Sequence, residues 1–209
     1  MPRTIDYVYS LMSPWAYLGF DPFHAVAKKH GVIIRYRPMP ILEVFNETGG
    51  LPLGKRPPTR QAYRWTELQR WRAIRNVPLV LRPKGFPFDH ALADKLAIAL
   101  VKLGQSPEAY LRAGHRAVWA DDRNLGDEAE LQRLLTENGY QADVAMAAAK
   151  SDAVAAEFIG NREYCIANGV FGAPSYVLDG EIFWGQDRVE LLDLALASGR
   201  PPYRPDSDI

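Results

Sequence analysis

The stretch Phe171-Gly172-Ala173-Pro174-Ser175-Tyr176-Val177 restricts this chain more than any other. It reads as a turn that feeds a strand running from Ser175 to Leu178. A proline entering a strand directly after Gly-Ala is a candidate for a cis peptide bond, because X–Pro is the one linkage where cis costs little. Asp179-Gly180 is a two-residue hairpin signal, and Glu181-Ile182-Phe183-Trp184 is the return strand. Gly185-Gln186-Asp187-Arg188 then opens a helix from Val189 to Ala197. A strand, a tight turn, a strand and a helix at the end of a chain need a sheet to join.

The front of the chain supplies that sheet. Ile5 to Ser10 is rich in β-branched and aromatic residues and reads as a buried strand. Ser13-Pro14 is an N-cap followed by proline at the first helical position. The helix continues through Trp15-Ala16-Tyr17-Leu18-Gly19-Phe20. Pro22 is expected to kink it, or to restart it with Asp21 as a second cap. His30-Gly31 ends it, and Val32 to Pro38 is the second strand. Strand, helix, strand is a crossover unit and implies a parallel pair. Pro174 is then expected to face the start of the first helix.

Between the two ends, Met39 to Pro58 reads as an irregular loop, made basic by Lys55, Arg56 and the following Arg60. Loops of that length inside a compact domain are usually functional. Helices are expected from near Thr59 to Arg75, after Asp89, from Ser106-Pro107 to Trp119, from Asp127 to Asn138-Gly139, and across the alanine-rich Gln141–Asn168 with a break near Lys150-Ser151-Asp152. That makes about five helices. The organisation predicted is residues 1–40 and 169–200 as one α/β unit, 41–168 as a helical insertion, and 201–209 as a tail that hugs the surface or frays.

Composition removes several function classes. Lys plus Arg and Asp plus Glu are 25 each, which gives no support to general nucleic-acid binding. The single cysteine, Cys165, excludes a disulfide framework or a CxxC redox pair, and reads as a small buried hydrophobe. The four histidines lack metal-ligand spacing. No segment has the apolar length of a membrane span, and the N-terminus lacks a signal-peptide core, so a cytoplasmic protein is expected.

Three blocks carry a family resemblance over nearly the whole chain. They are Asp6-x-x-x-Ser10-x-x-Ser13-Pro14-Trp15-Ala16-Tyr17-Leu18; Thr48-Gly49-Gly50 through Pro57-Pro58 to Tyr63 and Glu67-Leu68; and Gly169 to Pro174 with Phe183 to Arg188. The chain resembles the DsbA-like branch of the thioredoxin superfamily, and more narrowly the 2-hydroxychromene-2-carboxylate isomerases, relatives of kappa-class glutathione transferases. The resemblance implies an α/β thioredoxin-like fold with a large all-helical insertion, glutathione as cofactor, and a homodimer.

The resemblance also assigns roles. Thiol oxidoreductases of this fold begin the first helix with a nucleophilic cysteine; here the positions are Ser13-Pro14-Trp15-Ala16, and disulfide exchange needs a thiolate. Ser13 would instead donate to the sulfur of bound glutathione, at a helix N-terminus that favours an anion. By itself the Ser-Pro motif specifies only a cap, since Ser106-Pro107 repeats it. Ala173 and Pro174 would present a backbone edge to the tripeptide. Gln186 and Asp187 would hold its γ-glutamyl end, with Arg188 reaching the same end or a partner subunit. Glu67 stands where relatives place an acid that crosses a dimer interface. Relatives carry an asparagine in the loop and a lysine three residues before a tyrosine; here Gly50-Leu51 replaces the asparagine, and Arg60 precedes Tyr63. Arg60 would keep the positive charge for a glycine or substrate carboxylate, and Lys55 could supply the missing group. Trp15, Tyr17 and Tyr63 are the candidate lining of a pocket for a planar aromatic acid.

Together these imply a glutathione-dependent isomerase of an aromatic pyruvate-type compound. A kappa-like glutathione transferase and a non-catalytic glutathione- or peptide-binding protein are the alternatives.

Overall fold

In the computed structural model, which describes residues 2–205, the two ends of the chain build one four-stranded sheet. Strand β1 (Thr4–Tyr9) pairs parallel with β2 (Ile33–Pro38) and antiparallel with β3 (Ser175–Leu178). Strand β4 (Glu181–Trp184) pairs antiparallel with β3, and the order is β2-β1-β3-β4. Asp179 and Gly180 both have positive φ, 50° and 83°. That is the turn geometry whose twist matches a two-residue hairpin.

Successive residues of a strand face opposite sides. Ile5, Tyr7 and Tyr9 therefore enter the larger core with Tyr176 and Leu178, while Val8 and Val177 enter a smaller one with Met39, Ile41, Val44 and Cys165. Asp6 is held by Arg37 Nε at 2.6 Å and by the Tyr164 hydroxyl at 3.1 Å.

Helix α1 (Pro14–His30) starts at Ser13 and ends on Gly31 at φ 60°. It runs through Pro22 as one helix, so the restart at Asp21 does not occur. Phe20, Phe23, His24 and Ala27 stay on one buried face across the proline, and Asp21 pairs with Arg112 instead of capping.

The loop after β2 is a second correction. It holds helix α2 (Ile41–Thr48), stopped by Gly49 at φ 77°, and a 3₁₀ turn at Leu53–Lys55. The surrounding prolines and glycines hide an eight-residue helix whose buried residues are Ile41 and Val44. Then follow α3 (Pro58–Arg75), α4 (Ala91–Lys102), α5 (Glu108–Trp119), α6 (Glu128–Glu137), α7 (Ala142–Ala149) and α8 (Asp152–Ala167). The break at Ser151 falls where the sequence places it, because its Oγ caps α8 by accepting from Val154 N–H. A 3₁₀ turn at Gln186–Arg188 leads into α9 (Val189–Ser198).

The tail is tied to the β3–β4 hairpin as far as it is described. Arg200 pairs with Glu181, and Arg204 donates to the Asp179 carbonyl at 2.6 Å. The remainder of the predicted tail, 206–209, lies outside the described residues. Among the described residues no helix is long and apolar enough to cross a membrane, and no cluster of His, Cys, Asp or Glu could hold a metal ion.

Candidate functional site

The start of α1 meets the turn before β3. The Ala173–Pro174 peptide is cis, and the Ser13 hydroxyl donates to the Ala173 carbonyl at 3.1 Å. The same oxygen accepts the Ala16 N–H at 3.2 Å, so Ser13 both caps α1 and ties it to the cis-proline turn. The first backbone N–H groups of a helix have no intrahelical partner. Pro14 has no N–H and Ala16 is satisfied by Ser13, which leaves the Trp15 N–H without a hydrogen-bond partner among the described residues. A free N–H at the positive end of a 17-residue helix, beside a hydroxyl that can rotate, is a seat for a small anion.

A second tie carries the turn to the end of the chain. The Pro174 carbonyl accepts the Gly185 N–H at 2.9 Å. Gly185 sits at φ 106°, where a Cβ would collide with the Asp187 carboxylate. Gln186 is buried against α1, at a place where a Cβ on Gly19 would fall 2.8 Å from the Gln186 Cβ. Asp187 is half exposed and pairs with Arg188.

Two sets of residues that support this site escape a reading of motifs. Arg75, at the end of α3, donates from Nε to Gln186 Oε1 and from Nη2 to the Gln186 carbonyl, both at 3.0 Å, and pairs with Glu190. Since its oxygen faces Arg75, the Gln186 amide turns its NH₂ group away as a donor. The other set lies under the β1–α1 turn. Asp94 is fully buried; it accepts from Leu11 N–H at 2.9 Å and from Ser10 Oγ at 2.8 Å, and lies 2.8 Å from His90 Nδ1. Burial acts to lower the His90 pKa, but the hydrogen bond and charge of Asp94 outweigh it and raise the ring above its ordinary value. An aspartate four residues after a histidine, in the mostly apolar run 91–101, is the mark the sequence carries.

The remaining predicted residues are dispersed. Trp15 is partly buried and packs on the core, and the Tyr17 hydroxyl donates to the Pro78 carbonyl at 2.7 Å. Lys55 and Arg60 are exposed, on the 3₁₀ turn and the first turn of α3. Tyr63 is 61% exposed, and Glu67 pairs with Arg70 on the same helix. Among the described residues no hydrogen bond or ion pair joins Lys55, Arg60, Tyr63 or Glu67 to the Ser13–Pro174 block. Cys165 is buried and its thiol is pushed up to about 12 by burial, so it offers no reactive thiolate.

The comparisons with known proteins bear on the fold and the family. A family model described as a DSBA-like thioredoxin domain matches residues 4–197. The chain is 31% identical over 195 residues to a 2-hydroxychromene-2-carboxylate isomerase of Sphingobium xenophagum, covering 92% of this chain and 97% of the relative. It is 24% identical over 210 residues to human glutathione S-transferase kappa 1, covering 92% of this chain and 90% of the relative. The solved structure of a 2-hydroxychromene-2-carboxylate isomerase superposes with a TM-score of 0.77 at 23% identity, over 93% of this chain and 95% of that one. With a serine where redox relatives need a thiol, a cis-proline turn against it, and this similarity along nearly its full length, the chain belongs to the DsbA-like thioredoxin family, in its 2-hydroxychromene-2-carboxylate isomerase branch, and is an isomerase.

Proposed function

We propose that the enzyme isomerises a 2-hydroxychromene-2-carboxylate-like aromatic pyruvate compound with glutathione as cofactor, as a cytoplasmic homodimer. The observation that carries this reading is the Ser13 hydroxyl set against Ala173 at the N-terminus of α1, in a site that has no thiol of its own. The residues fit glutathione. The free Trp15 N–H and the Ser13 hydroxyl suit a sulfur anion, the NH₂ group of Gln186 suits an α-carboxylate, and Asp187 suits an ammonium. When bound, glutathione supplies a thiolate able to add reversibly to a conjugated carbon, so that the substrate can rotate or open about the bond that addition makes single.

The chain's own part is electrostatic. Ser13 must turn its proton from the Ala173 carbonyl toward the sulfur, exchanging one hydrogen bond for a stronger charge-assisted one. It stabilises and does not attack. Its own oxygen stays fixed by the Ala16 N–H during that rotation. Arg75 fixes Gln186, and Arg60 and Lys55 provide positive charge for a carboxylate. Trp15, Tyr17 and Tyr63 would border the aromatic part of the substrate, and Arg188 and Glu67 would complete the site across the dimer.

Titration with glutathione is expected to produce an ultraviolet thiolate band below the ordinary thiol pKa, and 2-hydroxychromene-2-carboxylate to be isomerised only when glutathione is present. Ser13→Ala should weaken the band and lower kcat by about 10²-fold or more. Full activity in Ser13→Ala would refute the stabilising role. The likeness to the kappa transferase favours a second reading, conjugation of a different electrophile. Glutathione binding without chromene turnover would select it.

A further inference from the structure

Arg64 is an anomaly in the interior. It is 8% exposed, on the face of α3 that also buries Leu68, and its Nη1 is buried with no hydrogen-bond partner among the described residues. Among the described residues it has no carboxylate partner. Buried guanidinium groups are normally paired, because an uncompensated charge away from water is costly. Here the neighbours are cationic. Its Cζ lies 4.8 Å from the Trp65 ring centroid, Arg82 lies over the same ring at 5.1 Å, and Arg56 stands close enough to oppose its charge. Arg56 is held in place by its own bond to the Leu51 carbonyl at 2.7 Å, and Gln61 in turn holds the Arg56 carbonyl at 2.8 Å. Burial first, then Arg56, lowers the Arg64 pKa to about 10, still charged at neutral pH.

We infer that Arg64, with Arg56, Arg82 and Trp65 around it, is the subsite that receives the carboxylate of the acid substrate; this rests on the isomerase reading above. The planar fork of a guanidinium matches a carboxylate in a bidentate pair, and an anion there would neutralise a cluster that no carboxylate among the described residues neutralises. The location favours the substrate over the glycine carboxylate of glutathione. Arg64, Leu68 and Arg75 share the inward face of α3, and Arg75 is the residue that grips Gln186. Eleven residues of helix separate Arg64 from Arg75, roughly 16 Å. Arg64 therefore lies about three turns of α3 away from the residue that grips Gln186, and we assign it the carboxylate of the acid substrate rather than that of glutathione.

The test uses chromone-2-carboxylate and its methyl ester as unreactive planar probes, with the full-length protein saturated in glutathione. Wild type is expected to bind the acid at least tenfold more tightly than the ester, Arg64→Met to erase that ratio, and Arg64→Lys to retain part of it. Glutathione affinity should stay within about twofold in both variants, and Arg64→Met should raise the ligand-free Tm, because it removes an uncompensated buried charge. An unchanged acid-to-ester ratio in Arg64→Met overturns the inference, and so does a loss confined to glutathione affinity. Arg64-dependent acid binding by an enzyme that does not isomerise the chromene would leave the subsite standing and remove the reaction assigned to it.

Discussion

Ser13 occupies a position that can be interrogated without any ligand. Its oxygen is fixed by the Ala16 N–H and its proton points to the Ala173 carbonyl, with the unpartnered Trp15 N–H alongside. If that arrangement favours an anionic sulfur, it should favour one supplied by the protein. Ser13→Cys is therefore expected to titrate at least one unit below the ordinary thiol value of about 8.5, as followed by its thiolate absorbance and by pH-dependent alkylation. Cys165 should stay silent in the same assay, since burial pushes its thiol up to about 12. A Ser13→Cys thiol titrating at 8.5 or higher would remove the electrostatic argument for the site. Ser13, Ala173 and Pro174 were legible in the sequence because each leaves a local mark: a cap, a proline at N1, a Gly-Ala-Pro strand entry. Arg64 and Arg75 leave none. In the run Arg60-Gln61-Ala62-Tyr63-Arg64, nothing local says that Arg64 is buried and Arg60 exposed.

The first turn of α4 acts as a clamp on the β1–α1 turn, and its contacts span more than 80 residues of sequence. Asp94→Ala would leave the Leu11 N–H, Ser10 and His90 without their shared acceptor, and should cost about 3–5 kcal/mol in chemical denaturation. Asp94→Asn keeps an oxygen for Leu11 but not the charge, which isolates the contribution of His90. The His90 pKa is raised in the folded protein, so its contribution is complete below the unfolded value of about 6.5 and is lost as pH rises through the raised value. Wild type should thus carry a loss of stability as pH rises above about 6.5, and Asp94→Asn should lack that loss. The same slope in both proteins would refute the coupling. Among the elements, those with a chemical start or stop were readable: Ser13, Asp127 and Ser151 cap their helices through side chains, and Asp179-Gly180 makes the hairpin. Helix α2 was not readable, because it begins at Pro40 without a side-chain cap. Nor was the continuity of α1 through Pro22, which is decided by packing of Phe20, Phe23 and His24 rather than by propensity.

One apolar core joins parts of the chain that the sequence separates. Ile5, Tyr7 and Tyr9 of β1 share a cluster with Leu96, Leu111, Val118, Leu131 and Leu135 of the inserted helices, and the Trp119 indole donates to the Leu11 carbonyl at 3.0 Å. Unfolding should therefore be a single transition, with tryptophan fluorescence and far-ultraviolet circular dichroism coincident; two separated transitions would refute the shared core. That transition should also have an acid limb. His115 is fully buried between Tyr9 and Phe20, with no partner among the described residues for either ring nitrogen, and burial, aided by the charge of His24, lowers its pKa to about 3. Burial also lowers His24. Both folded values lie below the unfolded one, so the unfolded chain takes up more protons and stability falls as pH drops below about 6.5. Between pH 6.5 and 5 the loss from His115 alone is about 2 kcal/mol. His115→Phe, an aromatic ring placed among aromatic neighbours, should recover that amount at pH 5 relative to pH 7, leaving the smaller slope owed to His24. If His115→Phe kept the full acid limb, the buried imidazole would not be its source, and the loss would have to come from carboxylates paired at the surface.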